Sequence, residues 1–197
     1  MKITSTNPLR IGLMQERVIS PQCLVIFGAS GDLTQRKLVP ALFELYKQRR
    51  LPSEFALLGC ARRKWSDQEF RKNMSQSLIE EIDQNPREWE EFAEKLFYEP
   101  VNLEHPQDVV NLKSRLEEID RIKATHANRT FYLSVSPKFY AGGCKSLAEA
   151  GLLKDPKRSR IVIEKPFGRD YRSAQNLNRL VQNCAQESQI FRIDHYL

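Results

Sequence analysis

The chain has 197 residues, 41% hydrophobic and 28% charged, enough to bury a core as one globular domain over 21–197 behind a short arm over 1–20. No apolar run approaches the roughly 18 residues that cross a bilayer, and the first twenty residues lack the apolar centre of a secretory signal, so no membrane partner and a cytoplasmic setting are expected. The net charge of +6 is spread among acids with no nucleic-acid motif beside it, which favours phosphorylated small molecules over nucleic acid.

Short apolar runs alternate with helical patterns along the whole chain. Strands are predicted over 23–27, 55–60, 96–101, 130–135, 160–164 and 189–194. After the second strand, Phe70, Met74, Leu78 and Ile82 recur every fourth residue, and Ser66 with Glu69 reads as a capping box opening that helix. An extra helix with Trp89 and Phe92 is expected between Pro86 and Lys95. A further stripe, Val109, Leu112, Leu116 and Ile119, follows Pro106. Ala174, Leu177, Val181 and Cys184 form another, with Asp170 near its start. Gly142-Gly143 interrupts a helical stretch, where each glycine costs roughly 1 kcal/mol against alanine, so a short, broken or frayed helix is expected there. Strand and helix in alternation predict an α/β fold with a doubly wound, mainly parallel sheet. The four cysteines stand far apart, and the three histidines show no metal-ligand spacing, so buried free thiols and no metal site are expected.

The first strand leads into Gly28-Ala-Ser30-Gly31-Asp32-Leu33-Thr-Gln-Arg36-Lys37-Leu-Val-Pro40-Ala-Leu42. Glycines between a strand and a helix let a pyrophosphate approach backbone N–H groups at the positive end of the helix dipole. Ser30 and Leu33 stand where the dinucleotide fingerprint would place its second and third glycines. Ser30 is open to two roles, phosphate contact or helix cap. Asp32 suits the helix start better than a pyrophosphate, whose charge it would repel. An NAD-binding domain places an acid after the second strand to hold the ribose. Here Arg62-Arg63-Lys64 follows instead, with no nearby acid. A guanidinium binds a 2′-phosphate that a carboxylate would repel, so NADP is the expected cofactor.

The wording around the glycine turn resembles the opening motif of glucose-6-phosphate dehydrogenases. Glu164-Lys165-Pro166-Phe167-Gly168 is similar to that family's second signature, and Arg192-Ile193-Asp194-His195-Tyr196-Leu197 to the start of its third. The resemblance implies a Rossmann-like coenzyme domain and oxidation of glucose 6-phosphate at C1 to the lactone, in the oxidative pentose phosphate pathway. It places Gly28, Ser30, Gly31, Asp32, Leu33 and Arg62 on the coenzyme, with Arg62 at the 2′-phosphate, and Lys165 between coenzyme and sugar phosphate. It gives His195 and Tyr196 the substrate phosphate, and Asp194 the orientation of a catalytic histidine lying further along the family's sequence. The expectation is that this chain lacks that base and the family's C-terminal α+β domain, through which complete members form homo-oligomers. By itself it would then bind nucleotide without turnover.

Two other readings start from the same glycine turn. A short-chain dehydrogenase places a tyrosine and a lysine four residues apart, and no such pair follows the glycine turn. A catalytically silent nucleotide-binding or interaction module is the alternative from a different class.

Overall fold

The computed structural model describes residues 20–165 and 170–194. Six strands form one all-parallel sheet in the order β3-β2-β1-β4-β5-β6. They are β1 (Gln22–Phe27), β2 (Phe55–Ala61), β3 (Leu96–Pro100), β4 (Arg129–Leu133), β5 (Ser159–Glu164) and β6 (Ile190–Ile193). Each lies where a strand was predicted. The fourth stops at Leu133, two residues early, because Ser134 and Val135 turn over the sheet edge towards Gly28.

Alternation along the strands divides the core in two. Cys23, Val25 and Phe27 of β1 face one layer with Ala56, Leu58 and Cys60 of β2. That layer is closed by α5 (Pro106–Lys123), α6 (Tyr140–Glu149) and α7 (Tyr171–Gln182), through Leu112, Leu116, Cys144, Leu147 and Val181. Ile26, Phe55 and Leu57 point the other way. They meet α1 (Val39–Lys47), α2 (Asp67–Ser75) and α4 (Pro86–Ala93) through Phe43, Phe70, Met74 and Phe92. All seven residues of β2 are buried, as a strand covered on both faces requires.

Two helical expectations need correction. The stripe from Phe70 to Ile82 is not one helix: α2 ends at Ser75, and α3 (Ile79–Gln84) begins anew. Ser75 donates its hydroxyl to Lys72 O (2.9 Å), and Ser77 donates to Gln35 O (2.6 Å), bonds that compete with a continuing helix. Leu78 in the break is still buried. The capping box stands as read: Glu69 N–H donates to Ser66 Oγ (3.2 Å), and Ser66 N–H to Glu69 Oε2 (2.8 Å). The second correction concerns α6, which runs unbroken through both glycines. A Cβ on Gly143 would lie 2.9 Å from Leu103 Cδ1, so glycine there permits close packing that offsets its propensity cost.

The helix after the glycine turn starts in a π register over Thr34–Leu38, with Val39 N–H donating to Thr34 O. Pro40 brings no N–H and its ring crowds the carbonyl four residues back, so a wider turn ahead of it relieves that clash. All four cysteines are free, and Cys23, Cys60 and Cys144 are buried. Burial pushes the Cys23 and Cys144 thiols up to about 12.

Candidate functional site

β1 and β4 are neighbours, but the chain leaves them towards opposite sides of the sheet, opening a crevice at their carboxyl ends. The crevice is a cleft of about 770 Å³. Gly28, Ser30 and Gly31 line its floor, and Arg62 and Arg63 one wall. The other walls are the loops after β3 and β4, with Gly142 and Gly143 of α6.

The turn is built by backbone. Gly28 has φ +86°, and its N–H and that of Ala29 both donate to Cys60 O at the end of β2 (2.8 and 3.1 Å). Gly31 N–H closes the turn on Gly28 O (2.9 Å). A Cβ at Gly28 would lie 2.0 Å from Ser134 O, so the carboxyl ends of β1 and β4 meet at a distance only glycine permits. The helix that follows begins directly after Gly31, so its N-terminal end adjoins the cleft floor.

Ser30 lines the cleft, and no side-chain cap is made at the start of the helix. Asp32 forms an exposed ion pair with Arg36 (2.8 Å), and Leu33 lies in the first helical turn outside the cleft lining. Arg62 is exposed on the cleft wall. Arg63 lays its guanidinium over the Trp65 ring at 5.3 Å. Arg62, Arg63 and Lys138 face one acid among the lining residues, Glu104. A floor of small residues that lets a ligand approach the backbone closely, an unhindered Gly142 and a cationic rim fit an extended, phosphate-bearing nucleotide.

Lys165 and Asp194 directly follow the adjacent strands β5 and β6 on this same sheet edge, beyond the cleft lining. Lys165 N–H donates to Ile193 O (3.1 Å), and its ammonium pairs with Asp194 Oδ2 at 2.9 Å. The strand end before Lys165 is held by two phenols. Tyr132 donates to the Glu164 carboxylate, and Tyr140 to the Glu164 carbonyl (3.3 Å). His195 and Tyr196 lie outside the described residues. Sequence reasoning missed the β4 loop, Gly142 as part of a cleft wall, and the Tyr132–Glu164 pair. Ser136-Pro137 directly after a predicted strand was the available signal for the loop. Among the described residues, no group of three His, Cys, Asp or Glu is placed to hold a metal, and no helix is long and apolar enough to cross a membrane.

The strand order, the glycine turn at the switch point and the cleft above it define a dinucleotide-binding domain of Rossmann type. Residues 25–197 match the family model described as glucose-6-phosphate dehydrogenase, NAD binding domain. The chain is 40% identical over 195 residues to the glucose-6-phosphate 1-dehydrogenase of Chlamydia pneumoniae, covering 94% of this chain and 38% of that protein. Against the enzyme of Aggregatibacter actinomycetemcomitans, identity is 43% over 176 residues, covering 89% and 36%. A solved glucose-6-phosphate dehydrogenase in complex with its substrate glucose 6-phosphate superposes with a TM-score of 0.78 at 31% identity, covering 90% and 37%. The chain belongs to the glucose-6-phosphate dehydrogenase family, a family of oxidoreductases, and spans little more than a third of the length of these relatives.

Proposed function

We propose that the chain is the coenzyme-binding part of an NADP-dependent enzyme that oxidises glucose 6-phosphate at C1 to the lactone. The observation that carries the coenzyme choice is Arg62. It stands exposed on the cleft wall directly after β2, where an NAD-binding domain would carry an acid. Its guanidinium would grip the 2′-phosphate through paired charge-assisted bonds, and the turn from Gly28 to Gly31, with Ser30, would hold the pyrophosphate. The Asp32–Arg36 pair would steady the helix start behind them.

When bound, the coenzyme supplies a nicotinamide ring that accepts hydride. Lys165 lies on the coenzyme side of the sheet edge and offers an ammonium to the sugar phosphate, with His195 and Tyr196 as further donors. A phosphomonoester carries about −1.5 to −2 charge near neutral pH, which these donors suit. Asp194 would leave Lys165 to orient the family's catalytic histidine, as carboxylates orient imidazoles elsewhere. The cytoplasmic setting and homo-oligomeric assembly belong to the same proposal.

Calorimetry with NADP and NAD tests it. NADP should bind more tightly, and Arg62→Ala should remove most of the difference, since a charged hydrogen-bonded contact is worth roughly 1.5–3 kcal/mol. Equal affinity for the two coenzymes in the parent chain overturns the assignment.

A further inference from the structure

We infer that Tyr98 is a positioning residue for coenzyme choice, because its phenol binds backbone carbonyls of the residues that flank Arg62. The inference rests on the proposed contact between Arg62 and the 2′-phosphate.

Tyr98 lies in β3, paired in register with Gly59 of β2. Its hydroxyl reaches past the end of β2 and donates its one proton chiefly to Arg63 O (2.8 Å), with Ala61 O as the longer, shared acceptor (3.3 Å). Those carbonyls bracket Arg62 in the chain. The phenol itself has little freedom. Tyr98 is 3% exposed, and its ring packs between Phe70 (centroids 5.2 Å apart) and Trp65 (5.5 Å). Its N–H donates to Asp67 Oδ1 (2.7 Å), and Asp67 pairs through Oδ2 with Arg115 of α5 (2.7 Å). Burial pushes the phenol above its ordinary value, so it keeps its proton at neutral pH.

The neighbouring arginine is engaged differently. Arg63 lies over Trp65, so the basic loop gives one guanidinium to packing and leaves Arg62 for a ligand. Arginine is a long, flexible side chain, and binding through it is selective only when its Cα is held in place. The bonds from Tyr98 supply that hold. Without the phenol Arg63 O loses its side-chain donor while Ala61 O keeps only the Val101 N–H (2.9 Å), the loop relaxes, and Arg62 must be reordered at each binding event. NAD lacks the 2′-phosphate and is indifferent to this change.

The test compares 2′,5′-ADP with 5′-AMP, which differ by the 2′-phosphate, on the full 197-residue chain by calorimetry. Tyr98→Phe keeps both ring contacts and should weaken 2′,5′-ADP about fivefold, the worth of one ordinary hydrogen bond. Its affinity for 5′-AMP should stay within about twofold of the parent. A merely structural role would weaken both ligands alike, and that result overturns the inference, as does an unchanged ratio. 4-Aminophenylalanine at position 98, a weaker donor in the same place, should give an intermediate ratio. It replaces the phenylalanine variant if circular dichroism shows that one unfolded, and an unchanged ratio in it is equally fatal. Arg62→Ala in parallel separates the two layers of argument. If it collapses the ratio while Tyr98→Phe does not, only the role of Tyr98 fails. If it leaves the ratio intact, the reading of the cleft fails with it.

Discussion

The two edges of the sheet each carry an ion pair, built in opposite ways. At the amino edge, Asp120 of α5 accepts from Arg129 at the start of β4 and from Thr125, and the two charged side chains are only 16% and 10% exposed. Asn128 beside them donates to Pro21 O (2.6 Å) and accepts from Arg160 (2.6 Å), so this edge closes on itself. At the carboxyl edge, Lys165 and Asp194 pair at 2.9 Å with side chains 54% and 50% exposed. A buried pair is strongly destabilising to break, whereas an exposed one is worth about 0–1 kcal/mol. One edge is locked. The other is rigid in its backbone but leaves its charges free to change partners, as a ligand edge must.

The largest effect should come from breaking that backbone rigidity. Gly28→Ala puts a methyl 2.0 Å from Ser134 O on a residue with φ +86°, so β1 and β4 must part. A loss above about 4 kcal/mol in urea unfolding is expected, in the range reserved for severe clashes. Gly142→Ala is the contrast, because nothing lies within 4 Å of its Cβ position. It should stabilise α6 by up to about 1 kcal/mol. Equal effects at the two glycines would refute the claim that the carboxyl edge is held by close backbone approach.

Next comes the amino-edge lock. Asp120→Ala removes the carboxylate from the buried Arg129, whose Nε already lacks a partner. The expected cost is about 3–5 kcal/mol in the same assay. A cost below about 1 kcal/mol would place this pair with the exposed ones and erase the difference between the edges.

How legible this design was in the sequence depends on the range of the interaction. The six strands, the capping box at Ser66 and the helix start near Asp170 depend on neighbours within a few residues, and the residue pattern marks them. So did the glycine turn, because a strand, two glycines and a helix are consecutive. The split between α2 and α3 was hidden, since Ser77 finds its acceptor at Gln35, 42 residues away. Gly142-Gly143 read as a flaw in a helix because the cleft it borders exists only once β4 lies beside β1. Tyr98 gave no signal at all. A tyrosine in a predicted strand is ordinary, and its meaning comes from carbonyls 37 and 35 residues earlier.

The smallest effect is the one that separates the edges most sharply. Lys165→Met and Asp194→Asn, singly and together, form a double-mutant cycle on the exposed pair. The coupling energy from urea midpoints should be below about 1 kcal/mol, as for exposed pairs generally. It should shrink further on raising the salt to 1 M, where the screening length falls to about 3 Å, close to the 2.9 Å of the pair itself. The small value is what the proposed chemistry needs. An anionic ligand can draw Lys165 away only if Asp194 releases it cheaply, and Asp194 can orient another group only once released. The tyrosine contacts at Glu164 fix where Lys165 starts without holding its ammonium. A coupling above about 2 kcal/mol, insensitive to salt, would make Lys165–Asp194 a lock of the amino-edge kind. Lys165 could then not serve a substrate phosphate without a rearrangement of β6.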